Sequence, residues 1–224
     1  MRIFIGVDPR SPVAYNVLQW SIIRRASKPV SIVPLVLPQL TITRKGLTDF
    51  TFSRYMVPHL SGYQGASVFM DADMLVLGDV AELFDFMDGQ HSVYVASHLD
   101  RFEWPSMMLF NNAECKELTP DYIENEKNQP QSLSWAKSIG KLPPEWNFCV
   151  GYDEPTEDYP KLVHYTAGIP AFYETRNLPY AQAWLDEYES MTQNCSWIEL
   201  MGGSVHQDMV LKEIEQRRKA WAQR

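Results

Sequence analysis

Cysteine is scarce in this chain of 224 residues, which contains only Cys115, Cys149 and Cys195. These thiols are far apart and lack metal-ligand spacing, which indicates reduced cysteines in a cytosolic protein rather than a disulfide framework. No apolar run approaches the roughly 18–20 residues of a membrane span, and the N-terminal run meets Asp8 too early for a signal peptide. We therefore expect a cytoplasmic protein without a transmembrane segment, although it could still act beside a membrane.

Basic residues are outnumbered, with 20 Lys and Arg against 28 Asp and Glu and a net charge of −8. This balance argues against a nucleic-acid partner, because a phosphate backbone requires a basic surface. The charge is uneven: residues 1–60 carry eight basic and two acidic side chains, a net +6, which leaves −14 for residues 61–224. The split is either a chance distribution over solvated faces, or a positive segment suited to a small anionic ligand beside an acidic segment able to hold a metal.

The rest of the composition is that of a globular protein, with 45% hydrophobic and 21% charged residues. The length suits one large domain with its own core, and no internal repeat, low-complexity tract or linker is evident. We therefore expect residues 1–224 to form a single domain.

Apolar runs and turn residues alternate along the chain in the order typical of an α/β protein. An apolar run at 2–7, a helical pattern at 11–26 and a β-branched run at 30–37 predict a strand, a helix and a strand, the beginning of a parallel sheet. Further strands are predicted at 66–70, 74–77, 92–97, 107–110 and 161–165, and further helices at 50–60, 79–86, 180–192 and 206–220.

The third apolar run leads directly into Asp71-Ala72-Asp73. Ligands bind at the ends of strands in open α/β sheets, and residues i and i+2 of an extended backbone point the same way. Both carboxylates would then face one point and offer oxygen ligands to a hard divalent cation such as Mg²⁺ or Mn²⁺. The alternative interpretation is a solvated turn with an acidic helix cap.

Several motifs together resemble glycosyltransferase family 8, which has the GT-A (nucleotide-diphosphosugar transferase) fold. They occur in the family's order: an opening strand ending in Asp8, a helix with Arg54, an apolar strand into Asp71-Ala72-Asp73, a helix near Asp79-Val80-Ala81-Glu82-Leu83, and the stretch His164-Tyr165-Thr166-Ala167-Gly168. The resemblance covers most of residues 1–112 and returns near 164. It implies a Rossmann-like α/β domain with a central, mostly parallel sheet flanked by helices.

The resemblance also implies a metal site. Asp71 and Asp73 would bind the cation that bridges the two phosphates of a nucleotide-diphosphosugar, and His164 would be the third protein ligand. An imidazole ligand favours Mn²⁺ over Mg²⁺. Considered alone, His164 would instead be interpreted as a core histidine with a satisfied hydrogen bond.

Four further residues would bind the nucleotide-sugar together with Asp71. Asp8 would accept hydrogen bonds from the base or ribose, Arg54 would reach the diphosphate or the sugar, and Gly168 would let the backbone approach the phosphates. Ser106 would face the donor sugar, although the family's Asn-x-Gly is replaced by Trp-Pro-Ser at this point. The alternatives are turn residues for Asp8 and Gly168 and a surface helix charge for Arg54.

The acceptor side of the site is poorly defined, and no catalytic base or nucleophile is predicted. The family's acidic segment near the acceptor has no clear match, because residues 125–133 offer only Gln129 and Gln131 in that region. Aromatic side chains supply platforms for sugar stacking in many sites. The candidates for that role are Trp104, Trp146 and Phe172.

These features lead to one main hypothesis and two alternatives. The main hypothesis is a metal-dependent glycosyltransferase of the hexosyltransferase class, with a UDP-sugar as expected donor and a glycan, lipid-linked or small-molecule acceptor. The resemblance implies retention of anomeric configuration. One alternative is a catalytically idle module that binds sugar nucleotides or serves as a scaffold. The other is a haloacid-dehalogenase-type phosphatase, which we set aside because its Asp-x-Asp follows the first strand and this one follows the third.

Overall fold

A computed structural model describes residues 1–96, 104–155 and 159–194 of the protein, and single positions between 208 and 219. The strands are β1 (Arg2–Gly6), β2 (Ser31–Leu35), β3 (Ala66–Met70), β4 (Met74–Val76), β5 (Val93–Ala96), β6 (Met107–Asn111), β7 (Ile139–Leu142), β8 (Phe148–Cys149) and β9 (Leu162–His164). The α-helices are α1 (Pro12–Arg25), α2 (Phe50–Ser53), α3 (Val57–Leu60), α4 (Ala81–Asp85), α5 (Pro120–Glu124) and α6 (Ala181–Asn194). Within the helix expected at 206–220, the described positions are helical and the others lie outside the described residues.

Six strands form the central sheet, in the order β2-β1-β3-β6-β5-β7. The pairs β1–β2, β1–β3 and β5–β7 are parallel, whereas β6 is antiparallel to both of its neighbours. Five of these six strands therefore run in one direction, which confirms the predicted mostly parallel α/β sheet. Pro34 lies on β2 at the sheet's edge, where the missing backbone donor disturbs the ladder least.

Both faces of the central sheet are buried, because alternate side chains of each strand enter different cores. Ile3 and Ile5 pack with residues of α1 on one face. Phe4 packs on the other face with residues of α2 and α3. Strands covered on both faces are apolar along their whole length, which explains why β1, β3, β5 and β6 are visible in the sequence as apolar runs. Strand β7, with Gly140 and the exposed Lys141, lacks this pattern and was not predicted.

The segment 50–60 is not the single helix that its pattern predicts. It consists of α2, a 3₁₀ turn at Arg54–Met56 and then α3. Pro58 provides the physical reason: proline lacks a backbone N–H, and its ring clashes with the carbonyl four residues earlier, that of Arg54. The helix therefore tightens into a 3₁₀ turn at Arg54, one of the residues predicted to bind the nucleotide-sugar.

The longest α-helices of the described ranges, α1 and α6, have 14 residues each. They are joined by a buried carboxylate, Glu187, which lies 3.2 Å from Arg24 Nη1 and 2.7 Å from Arg25 Nη2. None of the described helices combines the length and the hydropathy that a bilayer crossing requires.

A second sheet of three short strands, in the order β4-β9-β8, adjoins the end of β3. Strand β9 is antiparallel to β4, with His164 opposite Met74, and parallel to β8, with His164 beside Cys149. Because β4 begins directly after Asp73, this pairing brings a histidine from late in the chain to the Asp-x-Asp segment.

Candidate metal centre and pocket

Asp71 and Asp73 lie in the short connection between β3 and β4. Asp71 follows the last residue of β3, and its backbone N–H donates to the carbonyl oxygen of Ser106 at 3.0 Å, which extends the pairing with β6. Ala72 and Asp73 form a turn. The prediction of an extended backbone between the two carboxylates is therefore wrong, yet the turn directs them to the same place.

His164 reaches this turn through the second sheet. The backbone N–H of Tyr165 donates to the carbonyl oxygen of Asp73 at 2.9 Å, and His164 Nε2 lies 3.4 Å from Asp73 Oδ1. The His164 side chain is 6% exposed. One ligand atom from each of Asp71, Asp73 and His164 lies within 4.8 Å of the other two. The three residues predicted as metal ligands thus form one cluster.

The chemistry of this cluster fits a divalent cation. Asp71 Oδ1 and Asp73 Oδ1 are buried and accept no hydrogen bond of good geometry from the described residues. Each instead faces a basic side chain, Arg54 at 3.0 Å and His164 at 3.4 Å, so the cluster already holds its carboxylates by charge. A cation about 2.1 Å from each ligand spans about 4.2 Å between opposite ligands, so the observed spacing requires little adjustment. Two carboxylates and one imidazole suit Mn²⁺ or Mg²⁺.

Arg54 holds Asp71 in place. Its Nη2 lies 3.0 Å from Asp71 Oδ1 and donates a hydrogen bond to Oδ2 at 3.3 Å. Its Nε donates to the carbonyl oxygen of Phe50 at 3.1 Å, and Nη1 donates to that of Pro105 at 2.8 Å. The side chain is buried, so the alternative of a surface helix charge is wrong. The guanidinium fork ties the carboxylate to α2 and to the segment before β6.

Burial and mutual charge shift the acid–base properties of the cluster. Burial raises the pKa of Asp71 to about 6, against the opposing effect of Arg54. Burial lowers the pKa of the His164 imidazole, but the carboxylates of Asp73 and Asp71 have a larger, opposite effect. The resulting pKa is about 10. At neutral pH the Asp71 carboxylate therefore lies beside a protonated His164 imidazole. A metal ion would take the place of the imidazolium proton, which metal binding releases.

A cavity of about 250 Å³ opens beside the cluster. Five of the predicted site residues line it, and its remaining wall comes largely from the segment before and within α2. The predicted residues are Arg54, Asp71, Asp73, Ser106 and His164; the others are Leu47, Thr48, Phe50, Thr51, Tyr55, Pro105, Gln131 and Thr166.

Besides the two aspartates, two lining residues have polar atoms without a hydrogen-bond partner in the described part of the chain. The hydroxyl of Tyr55 and Oε1 of Gln131 are buried and have no hydrogen-bond partner among the described residues. The Tyr55 ring packs edge-on against Trp135 at a centroid distance of 6.4 Å. The sequence offered a weak signal for Gln131, as one of two glutamines near the acceptor region, and none for Tyr55 beyond its place next to Arg54.

Ser106 is buried and paired with Asn147. Its hydroxyl accepts a hydrogen bond from Asn147 Nδ2 at 3.1 Å, while its carbonyl oxygen receives the N–H of Asp71. Ser106 thus lines the cavity and also links the Asp-x-Asp turn to Asn147.

Asp8 and Gly168 do not line the cavity, but both follow strands that end near it. Asp8 comes after β1, whose parallel pairing with β3 puts their ends at one edge. Its carboxylate accepts hydrogen bonds from Arg10, which holds the pKa of Asp8 below its usual value. Gly168 lies in the loop after β9 with φ of +110°, a conformation that glycine adopts most readily.

Two of the three predicted sugar platforms, Trp146 and Phe172, do not line the cavity. Trp146 is fully buried, and Lys161 Nζ lies 5.6 Å from the centre of its ring, so its prediction as a platform is wrong. Phe172 is exposed but does not line the cavity. The side chain of Trp104 lies outside the described residues.

Known proteins resemble this chain in sequence and in fold. No established protein-family profile matches it. Protein CDI from Arabidopsis thaliana is 34% identical in an alignment that covers 84% of this chain and 86% of that protein. The glycosyltransferase GlyE of Streptococcus pneumoniae TIGR4 superposes with a TM-score of 0.64 at 15% identity, covering 86% of this chain. The bifunctional glycosyltransferase WbbM does so with a TM-score of 0.60 at 16% identity, covering 95%.

The galactosyltransferase LgtC, solved with donor and acceptor sugar analogues, has a TM-score of 0.59 at 13% identity, covering 86% of this chain and 96% of LgtC. In contrast, the chain spans 62% of GlyE and 51% of WbbM. At these identities the likeness concerns the fold, which is the GT-A fold of these glycosyltransferases. The predicted fold class is thereby confirmed.

Proposed function

The chain belongs to the family of Protein CDI from Arabidopsis thaliana, and from this premise and its GT-A fold we propose that it is a metal-dependent glycosyltransferase. It would move a sugar from a nucleotide-diphosphosugar to an acceptor hydroxyl. The observation that carries the proposal is the cluster of Asp71, Asp73 and His164 at the edge of the central sheet, beside a cavity.

Asp71, Asp73 and His164 would hold the cation, with Mn²⁺ favoured over Mg²⁺ by the imidazole ligand. When bound, it would neutralise the donor's diphosphate and support its departure as the leaving group. Arg54 maintains the position of Asp71 through the ion pair at 3.0 Å, and this keeps the ligand oxygens converged before the cation arrives.

The donor's nucleoside and sugar would contact different parts of the site. Asp8, at the end of β1, is proposed to receive the base or ribose, and Gly168 the phosphates. Tyr55 and Gln131 are proposed to bind sugar hydroxyls, because their buried polar atoms lack partners among the described residues. The Ser106 hydroxyl already accepts a hydrogen bond from Asn147. It would keep this bond while it contacts the donor.

The finer assignments rest on the order of the sequence motifs. This motif order supports four proposals: the chain is a member of glycosyltransferase family 8, its donor is a UDP-sugar, the sugar transferred is a hexose, and the anomeric configuration is retained. Residues 1–224 would act as one domain in this reaction.

A second candidate function has one observation in its favour. Among the described residues, the carboxylates that line the cavity are those of Asp71 and Asp73, and both are assigned to the metal. A module that binds a sugar nucleotide without transferring its sugar would have the same features.

Release of free sugar from the donor distinguishes the two functions. UDP-, GDP-, CDP- and dTDP-sugars are incubated with the protein and Mn²⁺ without acceptor, and nucleotide and sugar products are separated by chromatography. A transferase hydrolyses one donor class slowly, and Asp71→Asn and Asp73→Asn abolish that hydrolysis. Binding of a donor without hydrolysis identifies the idle module. Donor hydrolysis that persists unchanged in both variants contradicts the metal site.

A further inference from the structure

Cys149 lies directly behind the imidazole of His164. The two residues are register partners in the parallel pair β8–β9. Cys149 Sγ lies 3.8 Å from His164 Nδ1, whereas Nε2 on the other side of the ring faces Asp73. The thiol is 1% exposed, so water does not compete for this contact.

The thiol also connects His164 to the rest of the site. Cys149 Sγ lies 3.5 Å from the backbone carbonyl oxygen of Asn147, to which its S–H donates. The Asn147 amide donates to Ser106 Oγ at 3.1 Å, and the Ser106 carbonyl receives the N–H of Asp71. A continuous buried chain of polar contacts therefore joins the histidine of the cluster to its first aspartate.

We propose that Cys149 is a positioning residue for the metal centre, an inference that rests on the proposed function. A histidine that binds a cation through one ring nitrogen carries its proton on the other, and a hydrogen-bond acceptor there fixes the ring. With Nε2 directed to the cation, Nδ1–H donates a hydrogen bond to Cys149 Sγ. The thiol in turn donates its S–H to the backbone carbonyl oxygen of Asn147. A cysteine side chain thus fills the place that a carboxylate or carbonyl takes in many metal sites.

Mn²⁺ affinity of variants tests the proposal. Metal-free protein is titrated with Mn²⁺, and free Mn²⁺ is measured by electron paramagnetic resonance. Cys149→Ala and Cys149→Val remove the acceptor, and we expect each to raise the dissociation constant about 10- to 100-fold. Cys149→Ser retains a donor and acceptor and should lose clearly less affinity. Val fills the space of the thiol and serves if the Ala variant does not fold.

Cys115 provides the matched control. It is equally buried, and its thiol lies 3.2 Å from the carbonyl oxygens of Ser92 and Asn111, in the core on the other face of the sheet. Cys115→Ala should leave Mn²⁺ affinity unchanged even if it lowers the melting temperature as much as Cys149→Ala does.

The outcomes separate this inference from the metal site itself. Cys149→Ala and Cys149→Val that bind Mn²⁺ as tightly as the wild type, while Asp73→Asn does not bind it, overturn the role of Cys149 and leave the metal centre standing. Equal losses for Cys149→Ser and Cys149→Ala also overturn it, because acceptor chemistry would then be irrelevant. Wild-type protein that fails to bind Mn²⁺ overturns both proposals.

Discussion

Side chains around Asp71 have two different tasks. Arg54 holds the carboxylate of Asp71, and the carbonyl oxygen of Ser106 accepts the backbone N–H of the same residue. Tyr55 and Gln131, in contrast, line the same cavity with buried polar atoms that lack partners among the described residues. A buried polar atom without a partner lowers stability, so such atoms are expected where a ligand supplies the missing hydrogen bond.

Tyr55→Phe tests this division at the hydroxyl. Removing an unsatisfied buried group should leave the free energy of unfolding unchanged or raise it slightly, because no protein hydrogen bond is lost. Donor affinity should fall about 3- to 10-fold, the effect of one neutral hydrogen bond. Urea unfolding and calorimetric titration with the donor measure the two quantities. A destabilised variant with full donor affinity would show that the hydroxyl has a structural partner instead.

Arg54→Met tests the holding role. The substitution leaves Asp71 buried without its cation, and we expect the free energy of unfolding to fall by about 3 kcal/mol. The exposed pair of Lys28 and Asp85, at 3.9 Å, is the control, since Lys28→Met should change stability by less than about 1 kcal/mol. Urea unfolding at pH 7 compares them. Equal effects of the two substitutions would contradict a buried, structurally required ion pair.

Helix α5 supports the wall of the cavity from outside. The Glu124 carboxylate accepts hydrogen bonds from the backbone N–H groups of Thr43 and Arg44, at 2.9 and 3.1 Å, and from the Thr43 hydroxyl. The Arg44 guanidinium in turn donates to the carbonyl oxygens of Ile123 and Asn125. These contacts fasten the segment that continues to Leu47 and Thr48 in the cavity wall.

The Glu124 contacts make the stability of this region dependent on pH. The Thr43 hydrogen bonds lower the pKa of Glu124 below 4.5 in the folded protein. Because the folded pKa is lower than the unfolded one, the stabilisation is present above about pH 4.5 and is lost as the pH falls through the folded value. Glu124→Gln should therefore cost about 1 kcal/mol at pH 7 and less at pH 4.

Urea unfolding of the wild type and Glu124→Gln at several pH values measures this difference. Glu126→Gln, on the same exposed stretch, is the control and should show no comparable pH-dependent loss. A difference between wild type and Glu124→Gln that grows towards low pH would have the wrong sign and would contradict the assignment.

The molecule as a whole is organised around the junction of its two sheets. The central sheet supplies Asp71 from the end of β3, and the second sheet supplies His164 from the end of β9. A cation at the proposed site would contact both sheets only in the folded protein, so its binding energy would add to the stability of the whole fold.

Mn²⁺ should accordingly raise the melting temperature. At a free concentration about 100 times the dissociation constant, binding contributes about 2.7 kcal/mol, which corresponds to about 5–10 °C for a protein of this length. Differential scanning fluorimetry with Mn²⁺, and then with excess chelator, measures the shift and its reversal. Asp73→Asn should show no shift, and a shift of the same size in that variant would locate Mn²⁺ elsewhere.

Much of this arrangement could be predicted from local patterns. The buried strands appear as apolar runs, and Asp71 and Asp73 follow one of them directly. The break of the helix at Arg54 was not predicted, although Pro58 explains it once the structure is known. His164 was predicted as a ligand only through the resemblance to a family.

By itself, then, the amino-acid sequence determined the α/β class, five of the six strands of the central sheet and the acidic segment at the end of β3, because these depend on burial periodicity and on neighbours along the chain. Strand β7 was not predicted. Only the tertiary structure decided that Arg54 is buried against Asp71, that Tyr55 lines the cavity and that Cys149 stands behind His164. Such contacts join residues that are far apart in the chain, and strand pairing in three dimensions brings them together.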